Sequence, residues 1–423
     1  MALRHKADSL LFLIFCFLLC PEIMSGQDLA YTDEKVRDSV IKMGMEDVAV
    51  VDEPDGLYIN YSDNIYRGPF RGAFEVFTLL LNDLQIDKSI ILILKVDRIP
   101  YVSLKLDEEQ VRAYQSGRLS LVQLMSASHI SYDIDKYNKL FKGVKAENNS
   151  AGKIDIVLYP QVSLNNSWLD KLYGAIINIA PAVEVGLWKG ASFTGQAIFP
   201  LWNNMTGEMD YIRAGMLVLR QEYRFPENIF MAFNIGNFNA NRMGANLSFK
   251  YIPAGDQWEA GVNAGITGSS TFNSGKWEVS QWKRVNGAVF LRYNEPLYNL
   301  QFDLTGQRYI YGDYGIRLDC VRHFGEVAIG FYGMYTGGEP NGGFNLAIPL
   351  SGKKHMKRNA VRISAPEYFD WEYEAQSGNE YFKKRLGRYY EMRPDENRSQ
   401  RYYNPAYMKN MLIKLASEYN NQN

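Results

Sequence analysis

Glu259 and Asp303 are the kind of carboxylate pair that cleavage of a glycosidic bond needs. One would protonate the leaving oxygen while the other attacks or activates water. Both fall on the polar side of an alternating segment, and the chain spacing alone leaves their separation open. His323 is the one histidine on an expected strand, and it adjoins the tight turn Phe324-Gly325, where a turn or edge role is the simpler reading. Arg220, Glu222, Arg224, Lys250, Arg292, Arg317 and Asp319 complete a set of charges on polar strand faces. Spacing of i, i+2 puts neighbours such as Arg220, Glu222 and Arg224 on one side of the pleat, where opposite signs neutralise in pairs. Asn246, Asn263 and Gln301 share that side and offer amides suited to hydroxyl groups. This is the chemistry of a lining that holds or guides, so no enzyme activity and no catalytic residue is expected. The four histidines are scattered, and Cys16, Cys20 and Cys320 are the three cysteines. The first two lie in a segment expected to be removed, which leaves no disulfide framework and no thiolate cage. No metal and no cofactor is expected.

The composition narrows the partners. Across 423 residues, 46 Lys+Arg balance 47 Asp+Glu, so the chain lacks the basic field that nucleic acid attracts. A hydrophobic fraction of 46% excludes an intrinsically disordered chain. The excess of Tyr (29) and Gly (35) suits sheets with tight turns and interfacial rings.

Residues 1–26 read as a secretory signal peptide. Arg4 and Lys6 precede an apolar run from Leu10 to Cys20, Pro21 breaks it, and Ser25-Gly26 are small. The run is about half the ~20 residues that cross a bilayer. Residues 27–120 predict a small α/β module of β-α-β-β order. It comprises a short helix at 36–43, a strand at 57–61, an amphipathic helix at 68–82 carrying Phe70, Phe74, Phe77 and Leu81, and a hairpin at 89–106. Residues 121–152 are expected to be a linker between this module and the body of the chain.

From 153 to 350 the period is two. Ile316, Leu318 and Cys320 alternate with Arg317, Asp319 and Val321, and Phe302 and Leu304 alternate with Gln301, Asp303 and Thr305. About twelve strands are expected, most of them ~10 residues long, the length that crosses hydrocarbon at a tilt. The turns at 226–228, 253–256, 295–296 and 324–325 are short. The alternate connections, 202–210, 237–241, 268–284 and 337–341, read as longer. Tyr and Trp cluster near strand ends, as interfacial rings do. The fold class is therefore mainly β: a single antiparallel transmembrane barrel behind a small periplasmic α/β module. A narrow lumen with paired charges predicts a constricted or plugged interior. Residues 351–423 hold 14 Lys+Arg against 9 Asp+Glu and are Tyr-rich. They read as a separate periplasmic tail whose removal spares barrel insertion, with a short strand at 360–364 and a helix at 405–419.

Several segments carry a resemblance, in one order along the chain. These are Tyr58-Ile-Asn-Tyr-Ser-Asp-Asn-Ile-Tyr66 with Arg67-Gly-Pro-Phe-Arg71, Ile154-Asp-Ile-Val-Leu-Tyr-Pro-Gln161, and Pro200-Leu-Trp-Asn-Asn204. Asp313-Tyr-Gly-Ile-Arg-Leu318, His323-Phe-Gly-Glu326 and Gly342-Gly-Phe-Asn-Leu-Ala-Ile-Pro-Leu350 complete the set. Together they resemble the YjbH/GfcD-like outer-membrane exopolysaccharide proteins over most of residues 55–350. Larger members carry a second barrel, for which this chain has no room. The resemblance implies a Gram-negative outer-membrane location and a role in export or assembly of capsule or other extracellular polysaccharide. Lipid, polysaccharide and other secretion proteins would then be the partners. It implies no catalytic residues. A general porin or solute channel, and a barrel enzyme acting on lipid or glycan, are the alternatives that the residues leave open.

Overall fold

The computed structural model describes residues 32–165, 174–205, 210–253, 255–273, 275–375, 378–394 and 403–421. The expected signal peptide lies outside them. The first unit begins with helix α1 (Asp33–Met43), capped by the Thr32 hydroxyl and ended at Gly44, whose φ of 114° suits glycine. Strands β1 (Glu46–Glu53) and β2 (Gly56–Ser62) form an antiparallel pair. Helix α2 (Pro69–Thr78), extended by a π-helical turn at Leu79–Asp83, crosses over so that β3 (Ile90–Val96) lies parallel to β2. The hairpin partner β4 (Ile99–Leu106) comes next, then α3 (Glu108–Gln115), α4 (Leu121–Ala127), β5 (His129–Ser131) and α5 (Asp135–Asn138). The five strands make one sheet in sequence order. Phe70, Phe74 and Phe77 of α2 are buried in its core, as the 3.6 period requires. β1 is an addition to the expected β-α-β-β order. The segment at 121–152 is woven into the module: α4 contributes Leu124 and Met125 to the core, and β5 pairs with β4. The Asp47 carboxylate accepts from the Ser150 hydroxyl at 2.6 Å and ties the end of that segment to β1.

The second unit is a large antiparallel sheet. Its first seven strands are β6 (Ile154–Asn165), β7 (Gly174–Gly186), β8 (Ala191–Asn203), β9 (Arg213–Phe225), β10 (Ile229–Phe238), β11 (Arg242–Tyr251) and β12 (Trp258–Asn273). A short strand β13 (Lys276–Val279) folds back on β12 alone, so the expected loop at 268–284 is a protruding hairpin. Then come β14 (Arg284–Glu295), β15 (Leu300–Arg308), β16 (Tyr314–Phe324), β17 (Val327–Thr336) and β18 (Glu339–Pro349). Leaving β13 aside, these are twelve strands, each paired with its sequence neighbour, and they start and stop within a few residues of the positions the alternation suggests. The expected long connection at 337–341 is instead the two-residue turn Gly337-Gly338, with φ of 57° and 89°. A left-handed pair of this kind lets two strands join so tightly.

The faces of this sheet are inverted relative to a water-soluble protein. Asn234, Thr267, Gln301 and Thr336 are fully buried, and Asn246, Glu259, Asp319 and Asn345 nearly so. The alternate positions expose large apolar side chains: Ile316 is 61% exposed, Phe331 67% and Val289 59%. Exposed rings gather at both ends of the strands. Phe225, Tyr251, Trp258 and Phe324 lie toward the module, and Trp202, Trp277, Tyr314 and Tyr335 toward the far end. Among the described residues no helix is long and apolar enough to cross a membrane.

The C-terminal residues correct the expectation of a separate tail. Strand β19 (Val361–Ser364) runs parallel to β6 on one edge of the sheet, and β20 (Tyr368–Glu374) runs antiparallel to β18 on the other. Three residues join β19 to β20, so the sheet curls until its two edges lie side by side. The indole of Trp371 donates to the Val162 carbonyl at 3.0 Å across that seam, but the backbone ladder is not continuous there. Removing residues 352–423 would therefore strip both edges of the sheet. After the short helix α6 (Asn379–Lys383), the last helix α7 (Pro405–Asn420) returns to the first unit. Tyr407, Met411 and Leu415, spaced by four, bury themselves against α2 and α4.

The two units are fastened by ion pairs. Arg67 binds Glu326 with two bonds of 2.9 Å, and Arg71 adds one at 3.2 Å. Arg358 joins Glu46 of the module (2.6 Å) to Asp155 of the sheet (2.7 Å). Burial pushes the Glu326 carboxyl up, but Arg67 and Arg71 outweigh it and hold the group below its ordinary 4.5. Its contribution to docking is thus complete above that ordinary value and is lost as pH falls through the lower folded one. Glu326→Ala leaves two buried guanidinium groups without their carboxylate and is expected to cost about 3–5 kcal/mol. Thermal unfolding and protease release of the module at neutral pH check this, and an unchanged melting profile would contradict it.

Candidate functional site

Charged and amide side chains converge in number on the polar face of the sheet. Strands dictate this directly: side chains two apart point the same way, and the curl of the sheet turns them toward its inner side. Arg220 bonds Glu222 on its own strand and the Asn234 amide oxygen at 3.1 Å. Arg292 grips Asp303 at 2.6 and 3.0 Å and lies 3.7 Å from Glu259, while Gln301 donates to Asp303 at 2.8 Å. Lys250 lies 3.9 Å from Glu259 and donates to the Tyr101 hydroxyl of the module at 2.7 Å. Arg317 holds Asp319 (2.7 and 2.8 Å) and Glu372 of β20 (2.8 Å), with its guanidinium 3.7 Å from the Tyr332 ring centre. Such bidentate and stacked contacts are what arginine supplies when charge must leave water.

Arg224 departs from the rest of the set. It donates to the Pro100 carbonyl (3.2 Å), to the Tyr101 carbonyl (2.6 Å) and to the Tyr132 carbonyl, so it clamps the β3–β4 hairpin of the module. Asn246 and Asn263 line open space. Glu259 and Asp303 do come together, but around the single guanidinium of Arg292. His323 is buried, with its ring 5.5 Å from that of Tyr407. Among the described residues no three His, Cys, Asp or Glu side chains are grouped to hold a metal ion.

Residues 378–394 are what the sequence reading missed. From the end of β20 this segment runs along the polar face toward the module. The Tyr381 hydroxyl donates to Glu374 at 2.7 Å, and Leu386 fills the space above Gly337. The Gly387 amide donates to Asp313 at 2.8 Å, and the Arg388 carbonyl accepts from the Ile310 amide at 3.0 Å. The Tyr390 ring stacks on Phe238, 4.9 Å between centres and 8° between planes. Its hydroxyl accepts from the Asn246 amide (3.2 Å) and donates to Asn286 (3.1 Å). A β-carbon on Gly265 would collide with that hydroxyl, so glycine leaves the room the phenol occupies. Glu391 exchanges three bonds with Asn239, and Arg393 approaches Asp97 at the tip of the module hairpin (3.9 Å). Tyr403, at the start of the return to α7, packs against Tyr101. The density of Tyr and Arg here was the available signal. It gave no direction, because the partners are mostly far away in the chain.

This segment divides the enclosed space. On one side lies a chamber of about 740 Å³ lined by Arg220, Asn246, Lys250 and Asn263 together with Glu391 and Arg393. On the other is a cavity of about 200 Å³ lined by Arg292, Asp303, Arg317, Asp319, Gly387 and Tyr389. A third, of about 320 Å³, lies at the junction with the module, between Asp97, His355 and Arg362.

No protein-family model, curated protein or solved structure matches this chain.

Tyr390 is the anchor of the inner segment. Tyr390→Phe removes both amide contacts and keeps the ring stack, which is expected to weaken the segment by about 1–3 kcal/mol. Limited proteolysis should then cut within 378–394 faster than in the parent chain. Equal cutting rates would contradict the anchoring role.

Proposed function

We propose that the curled sheet is a transmembrane β-barrel of the Gram-negative outer membrane, and that it serves export or assembly of an extracellular polysaccharide without catalysing a reaction. One observation carries the membrane part: the sheet exposes its apolar side chains and encloses its polar ones. In water such a surface would aggregate, whereas in a bilayer the outward Leu, Ile, Val and Phe meet hydrocarbon and the terminal rings meet headgroups. Strands of 9–16 residues suffice to cross a tilted path through that layer. The α/β module then occupies the periplasm, on the side where the first strand starts and the last of the twelve ends.

The polysaccharide part rests on the ordered resemblance to the YjbH/GfcD-like proteins and on the character of the interior. The resembling segments fall at structural pivots. Arg67 to Arg71 and Glu326 form the joint between the two units, and the run 342–350 carries the edge to which β20 pairs. A general porin is less well supported, because a porin needs an open water-filled passage and here the chain's own residues 378–394 occupy the interior. A glycan-cleaving barrel gains nothing from the pair Glu259 and Asp303 gathered around one arginine.

Two measurements test this reading. The full chain in planar bilayers should conduct little, and a chain ending at Ala375 should conduct in steps at least several-fold larger. High conductance from the intact chain would favour the porin. Loss of surface polysaccharide on gene deletion, with restoration by the intact chain, is expected in the source bacterium; unaltered polysaccharide would overturn the secretion role.

A further inference from the structure

We propose that the 740 Å³ chamber binds a neutral, hydroxyl-rich oligosaccharide segment that reaches it from the module side. The proposal rests on the reading of the chain as a polysaccharide-handling barrel and adds the site and the ligand class. The chamber is within the size range of small-molecule pockets and is walled by the sheet, the module hairpin and the inner segment.

Three features define the ligand. The first is hydrogen-bond demand. Asn178 and Asn246 line the chamber, each is more than nine-tenths buried, and the side-chain oxygen of each lacks a partner. Buried polar atoms are almost always satisfied, so an unpaired acceptor marks a place where a donor belongs. Hydroxyl groups supply such donors, and Ser248 and Asn263 on the same wall can answer with further bonds.

The second is charge. Four arginine or lysine side chains and four carboxylates line the chamber, so their formal charges cancel. Arg220 is already committed to Glu222, and Lys250 to Tyr101 and Glu259. A polyanion or polycation would find no net field to hold it. The third is the presence of rings. Tyr101, Tyr159, Phe230, Phe290 and Tyr403 contribute to the wall, and the electron-rich face of an aromatic ring suits the C–H face of a pyranose. Alternating rings and amides fit a molecule that is apolar on its faces and hydroxylated at its rim.

The route is set by contiguity. The cavity at the module junction shares Tyr159, Arg393 and Tyr403 with the chamber. The two cavities therefore adjoin at these residues, on the module side of the chamber.

The test uses the full chain in detergent on an array of neutral and charged oligosaccharides, with heat-modifiable gel migration checking its fold. Two variants accompany it: Asn178→Leu with Asn246→Leu, which removes both acceptors, and Ser248→Trp, which fills the chamber and spares the amides. Binding confined to neutral glycans, weakened at least tenfold in whichever variant retains heat-modifiable migration, is the expected result. No binding of neutral glycans, a preference for charged ones, or parental binding by a folded variant overturns the proposal. If the parent migrates as a folded barrel and polysaccharide secretion depends on it, the broader reading survives that failure. If migration does not change on heating, the barrel reading itself has failed.

Discussion

A sheet that buries amides and ion pairs and leaves its aliphatic side chains uncovered is governed by one constraint: every charged group inside must find its partner inside. The aliphatic face cannot supply the bonds, and the desolvation cost of an unpaired charge exceeds anything a single contact returns. The arrangement of the interior obeys this. Arg292 serves two carboxylates, Arg317 serves two carboxylates and a ring, and the module hairpin and Tyr132, just after β5, offer three carbonyls to Arg224.

The same constraint explains the path of the C-terminal residues. The inner segment brings backbone amides and carbonyls, phenols and a carboxylate to the places where strands end, at Ile310, Asp313 and Asn239. In passing it links the far end of the sheet to the α/β module through α7. The module, the inner segment and the sheet are consequently one mechanical unit, held by Glu326, Tyr407 and Tyr101.

Much of this was legible from the chain alone, because a period of two needs no distant information. Arg317 and Asp319 declare the inner face of β16, and Ile316 and Leu318 the outer, whatever the other strands do. The helix at 405–420 was equally visible through Tyr407, Met411 and Leu415. What could not be read were the features that depend on contacts far apart in sequence. Tyr390 meets Asn246 and Asn286, 144 and 104 residues earlier, and no local pattern marks that choice. β19 and β20 are short and find their places by edges that exist only after the twelve strands have curled. β1 was hidden because both of its faces are buried over most of its length, which erases alternation. Gly337-Gly338 read as a loop because glycine signals a break equally well whether the turn is long or tight.

The central claim is that hydrocarbon contacts the apolar face of the sheet. Nitroxide labels placed singly at positions 314–322, in a cysteine-free background reconstituted in lipid, measure it directly. Oxygen accessibility should oscillate with a period of two and peak at Ile316 and Leu318, with a water-soluble nickel reagent excluded from both. Free access of the nickel reagent to Ile316 and Leu318 in the folded protein would contradict it.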